Sequence, residues 1–240
     1  MPGEHDTLHK APLIEVVFEL RAETAASVTV LPGKMAMALE GDYPVVQETE
    51  VAKFLAIAAL PLDAGFAASH QFRASDGGTM VQLGPMGLTV NALAYAGFAG
   101  FRAAVAQVIR RYFEHASVGN VRRLGLRYIN RLPAAEKPAL SGLTASLNWP
   151  EIEGATAKSI AVRGVFTFSK PSGQLAVAIA APAQFSAPHQ AGRLLDLDFS
   201  FEPSAAMTAQ DILSWVDTAH ARIYEAFRDM VEPSVFQSWR

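Results

Sequence analysis

The stretch from Val118 to Pro133, VGNVRRLGLRYINRLP, constrains the fold of this chain more than any other. It follows a long helical pattern and ends at a proline. Side chains of a strand alternate between its two faces. One face would carry Leu124, Leu126, Tyr128, Asn130 and Leu132. The other would carry Gly125, Arg127, Ile129 and Arg131. The pattern therefore predicts a central strand with one mainly apolar face and one face bearing guanidinium groups.

Several other segments alternate in the same way and predict half-buried strands. They are 12–23, 160–168, 175–180 and 194–201. Residues 72–83 form two strands around Asp76-Gly77-Gly78, the chemistry that a tight hairpin prefers, and a third strand follows at 88–93. Hairpins join antiparallel strands, so an antiparallel sheet is expected.

Three segments have the apolar spacing of helices. They are 33–40, 98–115 and 208–231. Gly119 is expected to terminate the second helix. Thr208 and Asp211 resemble a capping box at the start of the third helix, and Pro233 is expected to end it. The last residues, 235–240, are then predicted to form a tail with exposed Phe236 and Trp239.

These elements predict an α+β fold in which a mainly antiparallel sheet, or two related sheets, packs against long amphipathic helices. The order of elements suggests two similar β-rich halves, at 12–133 and 134–240, packed as one unit after a flexible lead-in at 1–11. No sequence repeat supports a duplication. Segments 44–70 and 133–158 carry no clear pattern, although 51–60 leans towards a strand or an irregular segment.

Composition removes several classes of protein. The chain has no cysteine, which excludes disulfides and thiolate metal sites. It has no apolar run of the roughly 18–20 residues that a spanning helix needs, and its first ten residues are too polar for a signal peptide. A cytoplasmic protein without a membrane partner is expected. The net charge of −3 argues against nucleic acid as a partner.

Several segments, taken together, resemble a known family. They are APLIEVVFELR, LGPMGLTVNALAYAGFAGFRAAV, LGLRYINRL, LLDLDFSF and WVDTAHARIYEAF. In this order they are similar to a sporadically distributed, functionally uncharacterised family of bacterial proteins of about this length. The stretch 94–98 departs from the proline-tyrosine and aromatic expected there. The resemblance implies a stand-alone bacterial domain and brings no catalytic residues.

The arginines of the central strand are candidates for binding an anion, because guanidinium groups pair with phosphate and carboxylate through two hydrogen bonds. They are Arg122, Arg123, Arg127 and Arg131. The favoured interpretation is structural, with the arginines paired to acids on neighbouring strands. The candidate acids are Glu15, Glu19, Asp196 and Asp198.

Two further pairs could carry chemistry. Tyr128 and Asn130 share the apolar face and could line a cavity, although such residues more often satisfy local backbone groups. Asp196 and Asp198 form an Asp-x-Asp that could hold Mg²⁺, but a third acid and a phosphate-binding loop are missing from the pattern. Motifs for nucleotide binding, serine hydrolysis and zinc are absent.

The sequence thus predicts a non-catalytic cytoplasmic binding protein that uses a sheet face or a helix–sheet cavity. Its occupant would be a partner protein, a second copy of the chain or a small ligand, and no cofactor is predicted. The candidate ligand-binding residues are Arg127, Tyr128, Asn130 and Arg131. The alternative is a metal-dependent enzyme acting on a phosphorylated or nucleotide substrate, with Asp196 and Asp198 as metal ligands.

Overall fold

The structure is a computed structural model that describes residues 11–25, 29–48, 70–133, 160–170, 172–183 and 192–240. These residues form ten strands and four helices. In chain order the elements are β1 (Leu13–Thr24), α1 (Leu31–Leu39), β2 (Val45–Glu48), β3 (His70–Arg73), β4 (Thr79–Gly84), β5 (Gly87–Ala92), α2 (Phe98–Ala116), β6 (Val118–Pro133), β7 (Ile160–Ser169), β8 (Ser172–Ala183), β9 (Gly192–Phe201), β10 (Ala205–Ala206), α3 (Ala209–Met230) and α4 (Pro233–Gln237). The predicted α+β class with an antiparallel sheet is confirmed.

The described strands belong to one sheet in the order β2-β3-β4-β5-β1-β6-β9-β8-β7, and β10 also pairs with β6. Neighbouring strands in this order are antiparallel. The strand predicted as central, β6, lies between β1 and β9, and Leu126 is opposite Phe18 on one side and Phe199 on the other. The sheet therefore joins strands from both predicted halves of the chain.

One face of the sheet packs against the helices, and we call it the helical face. Its central residues are apolar and fully buried, as Phe18, Leu126 and Phe199 illustrate. Helices α2 and α3 contribute buried side chains such as Val105 and Val216 to the same core. Burial of apolar surface is the main force that holds these layers together. The apolar residues that the alternation of β1, β6 and β9 predicted to face inward are therefore in the core.

Helices α2 and α3 are also joined by a charged pair. The guanidinium of Arg102 on α2 donates to both carboxylate oxygens of Asp217 on α3, and the Nη2–Oδ2 distance is 2.8 Å. Both side chains are about one-third exposed. Since solvent screens such a pair, we expect it to fix the register of the two helices more than it stabilises the fold.

The helix ends follow local chemistry, with one departure from expectation. Thr208 and Asp211 form the predicted capping box at the start of α3. Helix α2 ends at Ala116, and Ser117 adopts the left-handed conformation with φ 48°. Gly119, predicted to terminate this helix, instead lies inside β6. The left-handed residue is therefore a serine, for which this conformation is less favourable than for glycine.

The C-terminal residues correct a second expectation. They form the short helix α4 instead of an exposed tail, and Phe236 and Trp239 are only 5% and 8% exposed. Both aromatic rings pack against Phe227 of α3, with ring centroids 6.2 Å and 6.0 Å apart. The short segment lacks a helical period of its own, so its burial depends on the surface that α3 offers.

Some expectations fall on residues that the structure does not describe. The flexible lead-in up to residue 10, the segment 51–60 and most of 133–158 lie outside the described residues. Strand β2 occupies part of the segment 44–70 that the sequence left unassigned. Among the described residues, no helix is long and apolar enough to cross a membrane.

Candidate functional site

The side of the sheet opposite the helical face carries a charged groove, and we call this side the polar face. The groove has a volume of about 120 Å³ and runs across β4, β5, β1, β6, β9, β8 and β7. Four carboxylates line it: Glu15, Glu19, Asp196 and Asp198. Four arginines also line it: Arg21, Arg123, Arg127 and Arg163. The formal charge of the lining is therefore balanced.

The ion pair that contains the most buried carboxylate of the groove links β6 to β9. Arg127 donates from Nε and Nη2 to the two carboxylate oxygens of Asp196 at 2.7 Å and 2.6 Å. The Asp196 side chain is 4% exposed and the Arg127 side chain 26% exposed. This two-point geometry is the strong form of an arginine–carboxylate pair. It confirms the structural interpretation of Arg127 as a cross-strand partner of an acid.

A second arginine connects three central strands. Arg123 of β6 donates to Glu19 of β1 at 3.0 Å and to Asp198 of β9 at 3.1 Å. Glu19 also accepts a hydrogen bond from Arg21, two residues away on its own strand. Gly125 lies between Arg123 and Arg127 on this face and also lines the groove. The charges of β1, β6 and β9 thus form a continuous network.

Glu15 differs from the other three carboxylates. Its Oε1 accepts a hydrogen bond from the amide of Asn91 at 2.7 Å. Asn91 in turn accepts from the hydroxyl of Thr89, which also lies 3.1 Å from the amide oxygen of Gln82. Gln82, Thr89 and Asn91 are each at most 3% exposed. A row of buried neutral groups therefore holds Glu15 in place.

Burial sets the protonation behaviour of two groove carboxylates. Desolvation raises the pKa of Glu15 above its usual range, and the Asn91 hydrogen bond and the nearby Arg127 charge oppose this increase. Desolvation likewise raises the pKa of Asp198, against the opposing charges of Arg123 and Arg127. In both cases the low-dielectric surroundings disfavour the charged form more than the arginines favour it.

The other residues predicted to bind a ligand do not all meet in this groove. Arg127 lines it, whereas Arg131 lies further along β6 opposite Leu194 and is not part of the lining. Tyr128 and Asn130 are buried, and their strand positions place them on the helical face with the leucines. Asn130 donates to the backbone oxygens of Tyr128 and Leu195, at 3.4 Å and 3.3 Å. It therefore satisfies local backbone groups.

Tyr128 belongs to an aromatic cluster under α3. Its hydroxyl lies 2.9 Å from Nδ1 of His220 and 3.3 Å from the hydroxyl of Tyr95. The Phe98 ring stacks on His220 with centroids 3.7 Å apart. Burial raises the pKa of Tyr95 to about 12 and raises that of Tyr128 as well. Both hydroxyls are neutral near pH 7, and the cluster joins β6 to α2 and α3.

The two aspartates of the metal alternative share the polar face, as their spacing predicts, but each bonds to an arginine. Within the described ranges, no group of three or more histidine or acidic side chains is arranged to hold a metal ion. A metal at this position would compete with two guanidinium groups. The metal-dependent enzyme stays a prediction without added support from the geometry.

Sequence reasoning did not single out the neutral row of Gln82, Thr89 and Asn91, nor Arg163 at the far end of the groove. The alternation of β5 contained a usable signal, because Thr89 and Asn91 are polar residues two positions apart between apolar ones. No local pattern could show that these residues face Glu15, which is 76 residues from Asn91 in sequence.

Comparisons with known proteins give little further identification. No protein-family model matches the chain, and no curated protein matches it. A solved structure described as Methanococcus jannaschii TBP is similar over 90% of this chain and 99% of that chain, at 9% sequence identity and a TM-score of 0.26. A likeness at this level supports no conclusion about function. The resemblance to the bacterial family stays a prediction.

Proposed function

We propose that this chain is a non-catalytic binding protein whose polar face docks a partner protein. The observation that carries the proposal is the groove itself, a partly exposed recess across the central strands in which charged side chains are held by hydrogen bonds. Fixed charges and hydrogen-bonding groups in a recess are what an interface uses to select one partner over another.

The size of the groove favours a protein over a free small molecule. Its volume of about 120 Å³ is well below the roughly 300–1,000 Å³ of common small-molecule sites. A ligand of that size would make few contacts and would bind weakly. A side chain of a larger partner fits the recess, since the rest of the interface then supplies the remaining affinity.

The rim of the groove offers apolar surface for such an interface. Val165 of β7 is opposite Ala176, which lines the groove, and Val165 is 50% exposed. An exposed large apolar residue beside a polar recess is typical of a docking surface.

The broader parts of the proposal rest on the sequence pattern. We place the protein in the cytoplasm, without a cofactor and without nucleic acid as a partner. We also propose that the two halves are similar and that each contains a long amphipathic helix. The strand order supports this, because β5-β4-β3-β2 follow the central β1–β6 pair on one side and β9-β8-β7 on the other.

Site-specific photo-cross-linking tests the docking face. A photoreactive phenylalanine analogue replaces Val165 in one sample and Met37, 79% exposed on α1, in the control. In extract of the cell that makes the protein, we expect a cross-linked partner from position 165 and none from position 37. The variant Ala176→Gln, which adds a side chain to the groove, should remove the product. Circular dichroism checks that the variant is folded.

Two results would contradict the proposal. The first comes from the cross-linking experiment. It is the lack of a cross-linked partner at position 165, an equal yield at positions 165 and 37, or a product that Ala176→Gln leaves unchanged. The second comes from native mass spectrometry of gently purified protein. A mass surplus the size of a small molecule, lost in Ala176→Gln, would identify the groove as a small-ligand site instead.

A further inference from the structure

Glu15 is the groove carboxylate that lacks an arginine partner. Asp196, Asp198 and Glu19 each accept a hydrogen bond from a guanidinium group. Within the part of the chain that the structure describes, Glu15 accepts only from the neutral amide of Asn91 and has no cation within ion-pair distance. Its Oε2 therefore has an acceptor position that no described residue uses.

The surroundings of Glu15 fix this acceptor. Asn91, Thr89 and Gln82 are buried and bonded in sequence, so the amide that holds Oε1 is itself held. The neighbouring strand presents Ile129 directly opposite Glu15. An apolar neighbour on one side and a fixed amide on the other leave the carboxylate desolvated but accessible from the groove. A donor that arrives there meets a carboxylate in a weakly hydrated setting, where a charged hydrogen bond is stronger than in water.

We propose that Glu15 is the recognition carboxylate of the groove and that it binds the cationic side chain of a lysine or arginine from the partner protein. This inference rests on the proposed function and specifies which group of the partner enters the recess. Charge complementarity carries it, because the bound cation would complete the only carboxylate–arginine pairing that the described groove residues leave open. A long unbranched side chain also suits a recess of this volume.

The groups that face Glu15 also favour a cation as the group that binds there. From β6 it faces Arg127 and from β9 it faces Asp196, whereas β5 presents the neutral Asn91. The Nε and Nη2 groups of Arg127 donate to Asp196, and the guanidinium lies outside ion-pair distance of Glu15. Burial raises the pKa of Glu15, so the ionised form gains from an incoming cation.

Nuclear magnetic resonance titration tests this inference with defined probes. N-acetyl-lysine methylamide is added to isotope-labelled protein, and N-acetyl-glutamate methylamide is the probe of opposite charge. We expect saturable shifts of the amide signals of Asn91 and Ile129 with the lysine probe and no such shifts with the glutamate probe. Glu15→Gln should weaken that binding at least ~10-fold, as expected when a charged acceptor is lost. Glu23→Gln, on the same strand outside the groove, should leave it unchanged.

The dependence on pH gives a second measurement on the same samples. Binding of the lysine probe should weaken as the pH falls through the raised pKa of Glu15, because the protonated carboxyl no longer attracts a cation. Absence of saturable shifts in the wild-type protein, equal binding by Glu15→Gln, or a preference for the glutamate probe would each overturn the inference.

Cross-linking from position 165 separates this inference from the proposed function. If Ala176→Gln removes the partner and Glu15→Gln does not, the groove docks a protein but not through a cation on Glu15. If neither variant affects the cross-link, both proposals fail. Loss of the partner in both variants supports them together.

Discussion

The helical face and the polar face of this sheet are made by alternate residues of the same strands, and they are held together by different forces. On β6, Leu126 is fully buried among other apolar side chains, whereas its neighbour Arg127 is 26% exposed and bonded to Asp196. Apolar packing is non-directional and depends on buried area. A charged pair depends on geometry and on both partners being present. The comparison teaches that buried apolar area holds the helical face, whereas specific pairs of charged side chains hold the polar face.

The largest expected effect comes from breaking the helical face. Leu126→Ala leaves a cavity between β6 and the helices and should lower the free energy of unfolding by about 2–5 kcal/mol. Urea denaturation measures it. Val165→Ala, on an exposed position of β7, is the control and should change stability by less than about 0.5 kcal/mol. Similar losses in both variants would show that the apolar alternation of β6 does not define the core.

A smaller loss is expected from breaking the best ion pair of the polar face. Asp196→Asn removes the charge that Arg127 faces and leaves a desolvated guanidinium. Because Arg127 is partly exposed, we expect a loss of about 1–3 kcal/mol, below the range for a fully buried pair. Urea denaturation of Leu126→Ala and Asp196→Asn compares the free energy of unfolding that is lost on each face. An unchanged midpoint would show that solvent already screens this pair.

Replacing both partners of that pair should cost less than removing one. The double variant Arg127→Met with Asp196→Leu puts apolar groups of similar size on the two strands and leaves no unpaired charge. We expect its stability to lie within ~1 kcal/mol of the wild type. A double-mutant cycle with the single substitutions gives the coupling energy. Additive losses would mean that the two side chains contribute separately, and the pairing would not be what holds this face.

The smallest effect on stability is expected at Glu15. Its pKa is raised in the folded state, so its contribution to stability is full at low pH and is lost as the pH rises through the folded pKa. Glu15→Gln removes the desolvated charge and should raise stability at neutral pH by no more than about 1 kcal/mol, the range of a substitution that removes no packing. The gain should vanish at low pH. Denaturation at several pH values checks the sign.

A stabilised Glu15→Gln variant that binds the lysine probe poorly would sharpen the comparison. It would show that the polar face retains a charge that is unfavourable for folding, which is expected of a residue kept for binding. A loss of stability at neutral pH would instead show that the ionised carboxylate is structural, and Glu15 would then belong with the other paired acids.

The sequence by itself determined which residues belong to each face of the central strands. Alternation placed Leu124, Leu126 and Tyr128 on one side and Arg127 on the other, because successive side chains of a strand point in opposite directions. It also located the capping box of α3, since Thr208 and Asp211 are close in sequence and their bonds are local. Three of the acids expected to pair with the arginines do so: Glu19, Asp196 and Asp198. The expectation was incomplete, because Arg122 pairs with Glu23 and Glu15 bonds to Asn91.

Only the tertiary structure decided which strands are neighbours, and that decided the site. The order β5-β1-β6-β9-β8 brings Asn91, Glu15, Arg127 and Asp196 together although the chain separates them widely. The same long-range packing buried Phe236 and Trp239 against α3, where a local pattern indicated a tail. Local periodicity fixes the direction of a side chain, whereas its partner is set by the strand or helix that packs beside it.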